Sequence, residues 1–503
     1  MSAHRNRWLV LIAVMLAFTP IVIDMTILHI AVPSLTMALN ASGTEILWII
    51  DIYPLIMAGL LVPMGTLADR IGNRRMLLTG LAVFLVASVI AASAPSATTL
   101  IGARILLAVG ASMVIPNVLA LIRLSFENPR ERGIALGFWG TVGAAGSAFG
   151  PLVGGFLLEH FWWGSVFLIN VPVMLLVWPF AFAVLPRTKP AETGPWSIGQ
   201  ALLLIAGLIA TVYAAKSGFK PGASLPLTMA ALVAGLALIV IFVRKQLHAH
   251  QPMLDIALFS RPAITVGVIM ALAVTGALAG AELTIAQELQ FVVGRTPLEA
   301  GLFMMPLVIA SAIGGPLAGY AVSLVGLRIV ASSALLVAAA SLAGLGLSNF
   351  HEPGVGVVAM MAALGLALSI GLTASSIAIM SSAPADKAGA AGSLEGTGYE
   401  LGAGLGITFF GVLLSASYGG ALRVPADLAA EVPDAASHSI GETMLAARDL
   451  GAAGDSLADA ARHAFTAAHS TVLLSAAALI AVMAVAVLVA LRHYRDAEAV
   501  AAH

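Results

Sequence analysis

The sequence predicts an all-α polytopic membrane protein with fourteen transmembrane helices arranged as 6+2+6. Three observations carry that prediction. Of 503 residues, 60% are hydrophobic and only 10% charged, against roughly 25% charged in an ordinary soluble domain. Apolar runs long enough to span a bilayer as helices, about 20 residues each, recur along the whole chain. A motif near residue 65 also returns near residue 319, so the chain carries an internal repeat.

The first span, 8–33, follows His4, Arg5 and Arg7. That order imitates a secretory signal, but the run is too long, lacks a small-residue cleavage site and leads into further spans. It is expected to be retained. Spans at 45–65, 76–95, 98–122, 133–157 and 165–186 complete a first group of six. Spans at 198–216 and 225–244 form a pair. Spans at 262–291, 298–322, 327–348, 355–382, 388–416 and 467–492 form the last group. The expected divisions are 1–190, 191–250 and 251–503, with a long acidic external loop at about 417–466 that includes an Ala-rich helical stretch from Ser456 to His469.

An even number of spans puts both termini on one side. Seventeen of the 24 Lys and Arg then fall on the terminal side, six (Lys216 among them) on the other, and Arg104 within a span. Excess basic residues mark the cytoplasmic side, so N- and C-termini are expected in the cytoplasm and the protein in a bacterial-type cytoplasmic membrane. A net charge of −1 says nothing about partners, and the absence of cysteine excludes disulfides and thiolate metal sites. No metal-ligand cluster, nucleophile motif or phosphate loop is present, so neither enzyme activity, cofactor, metal nor nucleic-acid partner is expected. The lipid bilayer is the expected surrounding, and a monomer suffices for a central cavity.

The repeat is specific in its spacing. In "GTLADRIGNRR", Gly65, Gly72 and Arg74 match Gly319, Gly326 and Arg328 of "GYAVSLVGLRI" at an offset of 254, with Ser323 standing where Asp69 stands in the first copy. Pro129, Arg132, Gly137 and Gly143 match Pro384, Lys387, Gly392 and Gly398 at an offset of 255. Spans 2 and 5 therefore correspond to spans 10 and 13. Parallel six-helix halves around a central site are a transporter plan.

Gly65 and Gly72 permit a tight, close-packed turn between spans 2 and 3. Anchoring of basic residues at the membrane surface explains Arg70 and Arg74, but not Asp69 or the glycine spacing. Asp69 is positioned to meet a helix N-terminus or an arginine, a contact suited to one conformational state. Farther on, "GAAGSAFGPLVGG" contains Gly146, Gly150, Pro151, Gly154 and Gly155. It reads as a helix kinked by proline and thinned by small residues for close packing.

These motifs carry a resemblance. "GTLADRIGNRR" resembles motif A of the major facilitator superfamily, "ARILLAVGASMVIP" its motif B, and "GAAGSAFGPLVGG" its motif C, the signature of exporters. "IDMTILHIAVP" is similar to the first-helix motif of the fourteen-helix drug:proton antiporters, with His29 where asparagine is common. "WIIDIYPLIMAGLLVPMG" and "TPLEAGLFMMP" fit the same branch. The resemblance spans essentially the whole chain. It implies the major facilitator fold and export of lipophilic organic cations (methyl viologen, ethidium-like dyes, quaternary ammonium biocides) in exchange for protons. A proton-coupled transporter of a polar metabolite or another antibiotic would share the fold.

Charges inside the spans supply candidate coupling residues, because each costs roughly 2.5–3.5 kcal/mol in a bilayer and usually marks a substrate or proton path. Asp24 lies about 24 Å along the first span, and Arg104 about 9 Å into the fourth from the other side. Asp51, six residues into the second span, falls near the same level, so Asp24, Asp51 and Arg104 form an expected cluster in which both aspartates compete for one guanidinium. Glu282 lies one helical turn from the repeat equivalent of Asp24. Glu288 is six residues farther on, on another face, and reads as interfacial. Glu400 falls near the midplane at about 18 Å and Glu395 nearer the cytoplasm. Asp24 is the expected proton carrier, and Glu282 or Glu400 a second titrating group or counter-charge. Asp69 and Arg74 are expected to latch one state as the halves rock.

Overall fold

The computed structural model describes residues 2–126, 128–186, 198–218, 224–249, 252–384, 387–429 and 431–493. Long helices follow the predicted spans. The first half contains α1 (Ser2–Leu39), α2 (Gly43–Ile71), α3 (Asn73–Ala92), α4 (Ala97–Ser125), α5 (Pro129–His160) and α6 (Ser165–Val184). A hairpin of α7 (Ile198–Gly218) and α8 (Leu225–His248) follows. The second half contains α9 (Pro262–Val292), α10 (Pro297–Phe303 and Met305–Val325, broken at Met304), α11 (Leu327–Gly346), α12 (Val355–Ser382), α13 (Ala388–Ala421) and α14 (Asp455–Ala490). Among the described residues, thirteen helices are long and apolar enough to cross a membrane, and the remaining predicted span lies in the 32-residue α5. Large apolar side chains on the outer surface, such as Leu176 and Val482, are exposed as lipid contact requires. The expected boundaries at 190/191 and 250/251, and Arg187, Lys189 and Arg495 from the charge count, lie outside the described residues.

The repeat is visible in the packing. In the first half α1 packs on α5, α2 on α4, and α3 on α4 and α6. In the second α9 packs on α13, α10 on α12, and α11 on α12 and α14. The motif turns are built alike. Gly72 alone joins α2 to α3 at φ 97°, and Gly326 alone joins α10 to α11 at φ 83°, conformations that a side chain disfavours. The arginine two residues later caps a neighbouring helix end in both halves. Arg74 donates to the Phe182 carbonyl of α6, and Arg328 Nε donates to the Leu488 carbonyl of α14 at 2.8 Å.

The inserted hairpin has no counterpart in the repeat. Its α7 lies against both α2 and α13, at the seam between the halves. The long loop is largely ordered: α14 begins at Asp455, well before the predicted span at 467, and a short helix, Ile440–Asp449, precedes it. That short helix rests on α1 and α14. It lies at the face of the bundle away from Arg7, called the opposite face below.

Candidate transport site

Asp24 on α1 and Arg104 on α4 meet in the interior of the first half. Arg104 Nη1 donates to Asp24 Oδ2 at 2.6 Å, and both side chains are sealed from solvent. Arg104 Nε donates to the Ile49 carbonyl of α2 at 3.1 Å, and the guanidinium lies 4.3 Å from the centre of the Tyr53 ring. A guanidinium is the cation suited to this place, since its planar fork can meet a carboxylate, a carbonyl and an aromatic face together. Asn170 of α6 stands beside the same carboxylate. Removing one partner of such a buried pair leaves an uncompensated charge, a loss of about 3–5 kcal/mol.

Asp51 does not share that guanidinium, contrary to the expected three-residue cluster. Its partner is Lys216 of α7, with Nζ 2.8 Å from Asp51 Oδ2 and both side chains buried. Thr408 of α13 donates to the same oxygen at 2.8 Å, and the Lys216 ammonium lies 3.8 Å from the centre of the Trp48 ring. Lys216, counted from the sequence as external, is thus a second basic residue in the core. The reason is the placement of α7 at the seam, which carries the lysine from its helix end into the bundle.

Glu282 of α9 is joined to His29 of α1: its Oε2 lies 2.9 Å from His29 Nδ1, and both are buried. Glu288 is not interfacial. It is buried against α14, where Thr466 donates to it at 2.9 Å. The cause is a π-helical last turn, Glu288–Val292, which rotates this end of α9 relative to a regular helix. Gln290 Nε2 in that turn donates to the Ile30 carbonyl of α1 at 3.0 Å.

Glu400 of α13 is buried, and its Oε2 has no hydrogen-bond partner among the described residues. It lies close enough to Tyr53 to act electrostatically on the phenol, as Asp24 and Arg104 do from the other half. Tyr53 is thus near both Glu400 and the Asp24–Arg104 pair, and its own hydroxyl has no hydrogen-bond partner among the described residues. Glu395 is half-buried and accepts from Tyr399 one turn along α13.

The two glycine motifs play different parts. Asp69 and Arg74 are not joined in this state: Asp69 is exposed without an ion pair among the described residues, while Arg74 is held by Phe182 through its carbonyl and, at 4.7 Å, its ring. Arg70 is half-buried beside Asp69, and Gly65 approaches Pro116 of α4 at an ordinary distance. In α5, Gly146, Gly150 and Gly154 face α1. A Cβ on Gly150 would collide with Thr26 Oγ1. Gly155 meets the second half, where its Cβ would lie 2.7 Å from the Leu298 Cα of α10. Pro151 is buried, and its carbonyl oxygen would lie 2.7 Å from a Cβ added to Gly301 of α10.

Contacts between the halves run along α2 and α13, as at Gly404 against Leu55, and several lie toward the opposite face. They include His29 with Glu282, Gln290 with Ile30, Thr408 with Asp51, Gly155 with Leu298, and Gly411 of α13 against Leu47 of α2. Sequence reasoning missed Lys216, Trp48, Tyr53 and Thr408. The one available signal was Trp48, Asp51 and Tyr53 lying within five residues of one another on α2.

Residues 14–407 match the family model of the Major Facilitator Superfamily. The chain is 46% identical over 481 residues to the methyl viologen resistance protein SmvA of Salmonella typhimurium strain LT2, covering 95% of this chain and 97% of that one. It is 37% identical to the multidrug efflux pump LfrA of Mycolicibacterium smegmatis, with 97% of each chain covered. Among solved structures, a bacterial homologue of the human lysosomal transporter Spinster, in an inward-facing and unoccupied conformation, superposes with a TM-score of 0.69 at 18% identity. That match covers 96% of this chain and 97% of the other, and it speaks to the fold.

Proposed function

The chain belongs to the major facilitator superfamily, and from that premise we propose that it exports lipophilic organic cations in exchange for protons. The observation that carries this reading is the carboxylate system around Tyr53. Asp24 is held by Arg104 in one half, and Glu400 stands in the other with an oxygen that has no partner among the described residues. Buried charge of this kind is costly in a membrane unless it serves a substrate or proton path. The resistance and efflux proteins that the chain resembles support the direction and the cationic substrate class.

In this reading the termini are cytoplasmic, the membrane is a bacterial-type inner membrane, a monomer is sufficient, and the opposite face is external. The structure then corresponds to a state closed to the outside. When the outer face opens, Asp24 takes a proton, its hold on Arg104 weakens and the cation leaves. When the inner face opens, a cation entering the cavity favours ionised Asp24, which re-forms its pair with Arg104 as the proton departs to the cytoplasm. Cation and proton compete for one negative charge and need not touch. Glu400, with Glu282, supplies further negative charge for a divalent substrate such as methyl viologen.

The test is ethidium export by proteoliposomes under an imposed pH gradient, comparing the wild type with Asp24→Asn. The expected outcome is gradient-driven export by the wild type and retained ethidium binding without gradient coupling in the variant. Normal pumping by Asp24→Asn would remove Asp24 from the proton path. Absence of ethidium flux in the wild type would overturn the cation-export reading.

A further inference from the structure

A cavity lies inside the opposite face, lined by Val32, Leu47, Lys216, Phe291, Gly411 and Tyr418 and roofed by residues 438–441 of the long loop. Lys216 lines this cavity, and two groups that do not line it, the Asp51 carboxylate and the Trp48 ring, lie against it. Its ammonium contacts both, at 2.8 Å and 3.8 Å. A carboxylate beside an open aromatic face is the usual chemistry of an organic-cation receptor. Here the receptor holds a cation belonging to the protein itself. The lysine stem has four rotatable carbons and sits in the last turn of α7, two residues before Gly218, so it can swing between the pair and the cavity.

We propose that Trp48, Asp51 and Thr408 form a second organic-cation site beneath the external vestibule, and that Lys216 is its built-in competitor. The site lies on the release side of the path and deepens the cation-export reading, on which its physiological role rests. A departing substrate occupies it transiently. Return of the Lys216 ammonium displaces the substrate outward and leaves the site filled as the external face closes. Thr408 contributes a hydrogen bond from the second half, so the seat loosens as the halves part at this face, which favours release of the substrate, and tightens again on Lys216 as they close.

The test is equilibrium dialysis of radiolabelled tetraphenylphosphonium against purified full-length protein. Lys216→Met is expected to raise the binding stoichiometry by one site, and Lys216→Arg to leave it unchanged. The added site should disappear in Lys216→Met/Asp51→Asn and weaken at least about tenfold in Lys216→Met/Trp48→Leu. Because the chain has no cysteine, Lys216→Cys gives an independent arm. Aminoethylation restores a cation and should close the site, whereas methylthiolation should leave it open.

Unchanged stoichiometry in both Lys216→Met and methylthiolated Lys216→Cys, or an added site that survives Asp51→Asn, would overturn the inference while leaving wild-type binding to speak for export. An Asp51-dependent site in the variants without any wild-type binding would support the seat and count against cation export instead.

Discussion

His29 and Glu282 join α1 to α9 across the two halves through one buried contact of 2.9 Å. A hydrogen bond to a charged group contributes about 1.5–3 kcal/mol, or roughly ten- to hundredfold in the ratio of closed to open states. His29→Ala is therefore expected to speed maleimide labelling of a single cysteine placed at the cavity residue Thr44 by at least about tenfold. His29→Asn keeps a donor and should stay within about twofold of wild type. Equal labelling in all three would show that this bond does not hold the face shut. Arg104→Lys is a second test, because an ammonium cannot reach Asp24, the Ile49 carbonyl and the Tyr53 face together. Export under a pH gradient should fall at least about tenfold, and retention of full export would mean that charge alone suffices. The Asp24–Arg104 pair was legible because depth along two spans follows from counting residues. The partner of Asp51 was not, because it comes from α7, whose position no repeat specifies. A lysine at the end of a span ordinarily reaches for the interface, and nothing local to Lys216 distinguishes it from that case.

Among the elements, the turns at Gly72 and Gly326 are the clearest case of sequence dictating local structure. Both adopt positive φ, 97° and 83°, and both are followed two residues later by an arginine that caps a neighbouring helix end. Placing a Cβ in such a conformation costs about 1–3 kcal/mol. Gly72→Ala and Gly326→Ala should each lower the thermal unfolding midpoint in detergent, by similar amounts. A loss confined to Gly72→Ala would mean that the turn at Gly326 can relax to a conformation that a side chain tolerates. The glycine face of α5 was legible as close packing, but not its two destinations, α1 for Gly150 and α10 for Gly155, because a small residue does not name its neighbour. The start of α14 was legible as the Ala-rich stretch from Ser456, but its continuity with the last span was not. Hydropathy reports which residues suit lipid, whereas the helix begins at Asp455 in polar sequence and runs into the membrane without a break.

For the whole molecule, the major facilitator fold requires that the contacts sealing one face be broken whenever that face opens. Leu47 of α2 and Gly411 of α13 both line the cavity at the opposite face, and a Cβ on Gly411 would lie 3.1 Å from Leu47 Cγ. The two Cβ positions are therefore within about 4.6 Å, close to the spacing a disulfide spans. In a chain without native cysteine, Leu47→Cys/Gly411→Cys should cross-link on mild oxidation and tie the halves at that face alone. Ethidium export should then stop and return on reduction, while each single variant keeps exporting under oxidant. An oxidised double variant that still pumps would mean that α2 and α13 need not separate there. The rocking of one half against the other would then be the wrong motion for this molecule, even with every buried charge correctly placed.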